Sequence, residues 1–348
     1  MHRRNLAATV AATKKSVFVP VETRAFAKRI GGANEVAAAA EQEKRVQTTE
    51  AYLQFSRQPI ESNYGDLVRG EIPEPLKFDR PMETSVTENG IRVCTETMGN
   101  SQVAAVGVFI GAGTRHETLE SSGAAHFLEH LHFKGTTNRS RRQLEMEVEN
   151  AGTQLNAYTS REHTLYHTLS FPAGVAKSVE VLGDMLCNSV YDNYHLEIEK
   201  DTIWQQLQAT NQDPKETLME NVYFNVFRDH MMGQPILGDI DNIRCINRDM
   251  VVDFHQRNYY GENVVVVGAG NIRHDQLVGL VEQHFATLPR TSGLKRHNLD
   301  KAVFTPGLLM VRDDEMINSS VGVFYDAPGW KHEDFYSFLL LQRVFGNF

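Results

Sequence analysis

His126-Phe127-Leu128-Glu129-His130 is the stretch of sequence that decides the fold of this chain. On a helix, His126 and His130 are four residues apart, so their imidazoles project from one face. Two neutral imidazoles at this spacing can bind a single zinc ion. Glu129 lies beside them, where its carboxylate could accept a proton from an attacking water molecule. The stretch therefore predicts a metal-assisted hydrolytic site on a helix.

The order of these residues narrows the interpretation. They form the H-x-x-E-H pattern of one class of zinc peptidase. Two histidines at this spacing are common by chance, but an acid between them, on a helix that follows an apolar strand, is more specific. A catalytic zinc normally has three protein ligands and one open position. The motif supplies two of them, so a third ligand must come from elsewhere in the chain.

Composition is that of an ordinary globular protein. The chain has 348 residues, enough for two domains, with 41% hydrophobic and 23% charged residues. No apolar run approaches the roughly 20 residues that span a bilayer. The three cysteines are widely spaced and form no C-x-x-C pair, which favours a reducing compartment over a disulfide framework.

Charge is distributed unevenly along the chain. Residues 1–30 carry a net charge of +6 and the whole chain −9, so residues 31–348 carry −15. Such an acidic body would attract basic peptides and repel nucleic acid, although a merely well-solvated surface would have the same charge. The basic, acid-poor leader at 1–30 is typical of a mitochondrial transit peptide, with a disordered tail as the alternative.

Residues 31–82 are predicted to form an extension before the folded domain. A helix is expected at 34–57, followed by a strap that contains Pro59, Pro73, Pro75 and Pro81. Because this segment is too polar to pack on itself, we expect residues 1–82 to be retained in the protein and to lie across neighbouring subunits. Their basic residues would then meet acidic protein surfaces or anionic lipid head groups.

The next region, 83–297, mixes strands and helices without strict alternation, which predicts an α+β domain with a mixed sheet and helices on one face. Asn89-Gly90 predicts a hairpin, and Ser140 with Gln143 predicts a helix start. Strands are expected at 85–87, 91–96, 103–110, 154–159, 164–170 and 263–267, and helices at 124–133, 141–152, 175–188, 195–210, 216–228, 248–256 and 273–285.

Residues 298–348 are predicted to be the start of a second domain. Strands are expected at Leu308–Arg312 and Val321–Tyr325, with a helix at Phe335–Val344. About 50 residues are too few to close a second comparable layer. We therefore expect this second domain to be truncated, or to take its packing from elsewhere.

Longer runs around the motif resemble those of the pitrilysin-type (M16) metallopeptidase family. Gly111-Ala-Gly-Thr-Arg-His-Glu117 precedes the motif and Phe133-Lys-Gly-Thr136 follows it. Leu155-Asn-Ala-Tyr-Thr159 and Gly329-Trp-Lys-His332 extend the likeness, which covers residues 83–348. Within the family, the branches most similar are the processing-peptidase β subunits and the core-1 proteins of the cytochrome bc1 complex.

This resemblance implies roles for individual residues. His126 and His130 match the first two zinc ligands, and Glu129 matches the catalytic base. Asn156, Ala157 and Tyr158 match the edge strand on which a substrate peptide is added. The third ligand of active members is a glutamate at a position that here holds Gln206, whereas the outer acid is retained as Glu199.

Gln206 separates two hypotheses. A neutral amide is a poorer zinc donor than a carboxylate, so zinc would be weakly bound or absent. Glu199 is about 10 Å of helix rise away and cannot replace it, and His132 and His163 are interpreted as ordinary polar residues.

The favoured hypothesis is a core subunit of the bc1 complex with weakened or lost proteolysis. It would lie peripherally on the matrix side of the mitochondrial inner membrane, with a core-2-like or α-type subunit and cytochromes b and c1. The alternative is an active zinc endopeptidase that cleaves presequence peptides with an α-type partner.

Overall fold

A six-stranded sheet lies at the centre of the structure. The computed structural model describes residues 82–312, 314 and 318–345, so the predicted leader, helix and proline-rich strap lie outside the described residues. The strand order is β1-β2-β6-β3-β5-β4. The strands are β1 (Glu83–Val86), β2 (Arg92–Thr97), β3 (Ala104–Ile110), β4 (Gln154–Thr159), β5 (Thr164–Ser170) and β6 (Val264–Gly270).

The sheet is mixed, as predicted. β2 and β6 run parallel, and every other neighbouring pair is antiparallel. In β3 and β6, buried residues alternate with partly exposed ones, because successive side chains point to opposite faces. One face is therefore covered by helices and the other is more open. The predicted α+β class is confirmed.

Nine helices of four residues or more lie among the described residues. They are α1 (Ala124–His132), α2 (Arg141–Asn150), α3 (Val175–Asn188), α4 (Asn193–Gln212), α5 (Pro214–Val226), α6 (Ile240–Cys245), α7 (Arg248–Asn258), α8 (His274–His284) and α9 (Phe335–Phe345). α3 contacts β3 and β5, α8 contacts β2 and β6, and α1 contacts β4. None of the described helices is long and apolar enough to cross a membrane.

Local signals in the sequence account for most element boundaries. Gly90 takes φ of 85° and its N–H bonds to Thr87 O, which forms the predicted turn before β2. Ser140 and Gln143 cap each other at the start of α2. α6 was not predicted from the sequence; it has only six residues and buries one apolar side chain, Ile243. So short a helix has too little periodicity to be recognised.

Residues 298–345 differ from the prediction. The helix is present as α9, but the predicted strands at Leu308–Arg312 and Val321–Tyr325 were wrong, since neither stretch forms a ladder. Their apolar side chains, including Val311 and Val321, are largely exposed. A strand needs a hydrogen-bonding neighbour, and no described strand lies beside either stretch. The second domain that begins at the C-terminus thus has one exposed helix, and its other described residues form no strand.

Candidate metal centre

Gly123 and Glu117 set the start of α1, the helix that carries the motif. Gly123 has φ of 98°, a left-handed conformation, and an added Cβ would lie 2.9 Å from Leu237 O. The Glu117 carboxylate accepts hydrogen bonds from the backbone N–H groups of Gly123 (2.9 Å) and Ala125 (2.7 Å). Burial raises the pKa of Glu117 to about 8, against the effect of these two bonds. The side chain of Glu117, six residues before Gly123, therefore caps the motif helix.

The imidazoles of His126 and His130 lie side by side, as their spacing predicts. Their ring centroids are 4.7 Å apart and the ring planes are inclined by 60°. Burial, and then the neighbouring His130, lower the pKa of His126 to about 3. His126 is thus neutral near pH 7, which is the form in which an imidazole binds a metal.

Glu199 on α4 contacts one side chain from the motif helix, His130, and one from the loop just after that helix, Lys134. Its Oε2 lies 2.7 Å from His130 Nδ1, and its Oε1 lies 2.7 Å from Lys134 Nζ. The Glu199 side chain is only 4% exposed. Burial alone would raise its pKa, but the hydrogen bonds from His130 and Lys134 outweigh burial and lower the pKa to about 2. The carboxylate is therefore ionised and has a partner on each oxygen.

Gln206 continues the buried face of α4. Leu196, Glu199 and Ile203 are buried on this face, which packs against α1, and Gln206 follows Ile203 by three residues. The Gln206 Oε1 atom is buried, and no hydrogen-bond partner for it lies among the described residues. The same holds for Nδ1 of His126. The Gln206 oxygen is therefore free to accept a donor or to coordinate an ion.

The ligand set is nevertheless weak. Across residues 82–312, 314 and 318–345, no group of three or more His, Cys, Asp or Glu side chains could hold a metal ion. Two imidazoles and one amide oxygen therefore form the whole candidate set. The two imidazoles are placed side by side, as a metal site needs, but the set lacks the anionic donor that would hold a zinc ion tightly.

Glu129 lies between the helix and the sheet edge. Its Oε2 accepts a hydrogen bond of 2.6 Å from Oγ1 of Thr159, the last residue of β4. Burial raises the pKa of Glu129, and the bond from Thr159 and the neighbouring His130 oppose this rise. A carboxyl group with a raised pKa is suited to exchanging a proton near neutral pH.

The three predicted substrate residues lie on β4, next to Glu129. β4 pairs only with β5 among the described strands, so its other edge has unpaired backbone groups. Asn156 and Tyr158 point to the more open face, and Ala157 is partly buried between them. The Tyr158 hydroxyl lies 2.7 Å from Nε2 of His163.

His132 and His163 have partners other than the motif. Nδ1 of His132 lies 2.7 Å from the Tyr166 hydroxyl and Nε2 lies 2.9 Å from the Tyr191 hydroxyl, both in the core. His163 contacts Tyr158 and Ser160. These contacts agree with the interpretation of both histidines as ordinary polar residues.

Three residues that contact the centre were not predicted: Glu117, Lys134 and Thr159. All three lie inside the runs that carry the family resemblance. Their sequence positions show that they are close to the motif along the chain. They do not show which atoms these residues would meet, because Lys134 reaches Glu199, and Thr159 reaches Glu129, only through the packing of α1 against α4 and β4.

Comparison with known proteins identifies the family. Insulinase (Peptidase family M16) matches residues 92–240, and the Peptidase M16 inactive domain matches residues 246–348. The chain belongs to peptidase family M16. The boundary between these two matches does not divide the sheet, because β6 follows it and pairs with β2 and β3.

Curated relatives of this M16 chain are processing-peptidase subunits. The mitochondrial-processing peptidase subunit beta of Lentinula edodes is 39% identical over 76% of this chain and 58% of the relative. The subunit beta of Bos taurus is 37% identical over 76% of this chain and 54% of the relative. The chain thus spans less than two thirds of the length of these relatives.

A solved structure has the same fold. A protease from Helicobacter pylori is 26% identical, with a TM-score of 0.58 over 66% of this chain and 54% of the other. This similarity confirms the mixed sheet with helices as the M16 fold.

Proposed function

We propose that this chain is a processing-peptidase β-type subunit, a zinc-dependent endopeptidase that acts on mitochondrial presequence peptides and binds zinc weakly. The observation that carries the proposal is the arrangement of His126, Glu129 and His130 on α1, with Glu129 held against β4 by Thr159. The names of the curated relatives support the same activity and a mitochondrial location.

Each residue has a defined task in this proposal. His126, His130 and the Gln206 oxygen would hold zinc, which when bound would polarise the carbonyl of the scissile peptide bond. The Glu129 carboxylate would take a proton from the attacking water and pass it to the leaving amine. Thr159 would hold that carboxylate in place.

The substrate peptide would bind as an added strand on β4. Backbone groups on the outer edge of β4 would pair with the peptide, while Asn156 and Tyr158 would contact its side chains on one face. Because Thr159 ends this strand, a peptide bond laid along β4 would be close to Glu129. The acidic body of the chain favours basic peptides and disfavours nucleic acid.

Partners complete the proposal. A β-type subunit implies an α-type subunit, which the curated relatives' designation as subunit beta supports. The predicted boundaries at residues 30, 82 and 297 stay proposals. So do the mitochondrial leader and the contacts of residues 1–82.

A second function rests on Gln206. If the amide abolishes metal binding, the chain is a core-type subunit of the cytochrome bc1 complex. It would then lie with cytochromes b and c1 on the matrix side of the inner membrane. This alternative keeps the fold and the α-type or core-2-like partner but removes the proteolysis.

One experiment separates the two functions. The full chain, co-purified with its α-type partner, should take up zinc from a zinc-containing buffer and should cleave a presequence peptide, and Glu129→Gln should abolish cleavage. Cleavage that survives Glu129→Gln, or a preparation without zinc or activity that co-purifies with cytochromes b and c1, would overturn the peptidase proposal.

A further inference from the structure

Lys134 lies just beyond the motif helix and turns back toward it. α1 ends at His132, and the Lys134 ammonium reaches Glu199 Oε1 at 2.7 Å. On the other oxygen of the same carboxylate, His130 Nδ1 lies at 2.7 Å. The three side chains are 16%, 4% and 15% exposed, so this chain of contacts is shielded from solvent.

The backbone that carries Lys134 is fixed on both sides. The Lys134 N–H bonds to Leu131 O at 3.0 Å. The next residue, Gly135, forms a β-bridge with Ser140. In the same loop, Arg139 bonds to Asp184 on α3 at 2.7 Å. Because the loop is held to α1 and α3, the backbone of Lys134 is restrained, and its ammonium can hold the Glu199 carboxylate in one orientation.

The direction of these bonds determines which nitrogen of His130 carries a proton. The Glu199 carboxylate only accepts hydrogen bonds, so His130 Nδ1 must donate. A neutral imidazole with its proton on Nδ1 leaves Nε2 with a free lone pair, which is the form that binds a metal. A carboxylate held by one partner alone could rotate or turn away, and the proton could then move to Nε2.

We propose that Lys134 is a positioning residue of the metal centre: by fixing Glu199, it holds His130 in the tautomer whose Nε2 is free to bind a metal. The consequence for metal affinity rests on the proposed zinc site, but the effect on the tautomer does not. Gln206 brings no charge to the centre. The alignment of the two imidazoles therefore carries a larger share of the metal affinity than it would if a carboxylate were the third ligand.

The test is the tautomer of His130 in the metal-free full chain, read from ring-nitrogen NMR shifts at about pH 8, where a free imidazole is neutral. Lys134→Met removes the ammonium and keeps the stem. We expect the Nε2–H tautomer to become substantially populated, and the zinc dissociation constant to rise about 10-fold or more. Lys134→Arg should retain the Nδ1–H tautomer, since a guanidinium can also donate to Glu199.

Lys200 provides a matched control. Its side chain is 18% exposed, and its ammonium lies 2.8 Å from Glu197 on the same helix as Glu199. Lys200→Met should change neither the tautomer nor the zinc affinity. If Lys134→Met does not fold, Lys134→Gln retains an uncharged donor and should shift the tautomer in the same direction by a smaller amount.

The possible results are distinct. An unchanged His130 tautomer in Lys134→Met, or an equal shift in Lys200→Met, would overturn the role of Lys134. A tautomer shift with no zinc binding, even in Gln206→Glu, would support that role and would reject the proposed metal site instead.

Discussion

The two ends of the contact between α1 and α4 are built differently. At one end, Glu199 is ionised and has a donor on each oxygen, His130 and Lys134. At the other end, Gln206 Oε1 and His126 Nδ1 are buried, and neither has a hydrogen-bond partner among the described residues. The first end is a completed ion-pair cluster, while the second is neutral and incomplete. In the proposed zinc site, the outer support thus persists where the inner ligand is weak.

The largest effect is expected from giving the neutral end a charge. Gln206→Glu should increase zinc affinity by about 100-fold or more, because a carboxylate donor replaces an amide. Competition with a chelator of known affinity would measure this. Gln205→Glu is the matched control, since its exposed side chain adds the same charge outside the site. Equal gains from the two variants would show that the effect is one of general charge, not of ligation.

A smaller effect is expected at Asp184, a buried carboxylate remote from the motif. Hydrogen bonds from Thr136, Asn138, Arg139 and Asn188 outweigh the effect of burial and lower the pKa of Asp184. Its contribution to stability should therefore be complete above its unfolded-state pKa of about 3.9 and be lost as the pH falls below that value.

Asp184→Asn should lower the free energy of unfolding by about 2–3 kcal/mol at pH 7. The difference from the wild type should shrink in acid, because the wild-type aspartate is protonated there. Urea unfolding at several pH values would measure both quantities. Because Arg139 links Asp184 to the loop that carries Lys134, a fall in zinc affinity as large as the fall in stability would show that this loop transmits the change to Glu199.

A third effect, on the rate of peptide cleavage, is expected at Thr159, which holds the proposed general base Glu129. Thr159→Val removes the hydroxyl that donates to Glu129 and keeps the shape of the side chain. We expect peptide cleavage to fall about 10-fold in kcat with little change in KM, because a loosely held base reacts less often. Thr159→Ser should restore most of the rate. A change confined to KM would indicate that Thr159 acts on peptide binding.

The smallest effect is expected at the start of α2. Ser140→Ala removes a capping hydrogen bond to Gln143, which should cost about 1 kcal/mol of stability. Thermal unfolding would detect this change, and zinc affinity should be unchanged. A loss of zinc affinity would show that the loop between Lys134 and Ser140 transmits local disorder to the metal centre.

By itself, the sequence determined which residues could form the centre. The four-residue spacing of His126 and His130 fixes their common face on a helix. The capping pair at Ser140 and the turn at Asn89-Gly90 set local boundaries. These features depend on neighbours along the chain, so they can be read from it directly.

The tertiary structure alone decided which atoms meet. Glu117 caps a helix from six residues before Gly123, Thr159 reaches Glu129 from the sheet, and Lys134 shares Glu199 with His130. The contacts of Thr159 and Lys134 depend on how α1, α4 and β4 pack, and no local pattern encodes that packing. The failed strands at 308–312 and 321–325 show the same limit. Their sequences favour extended chain, but a strand forms only where another strand satisfies its backbone hydrogen bonds.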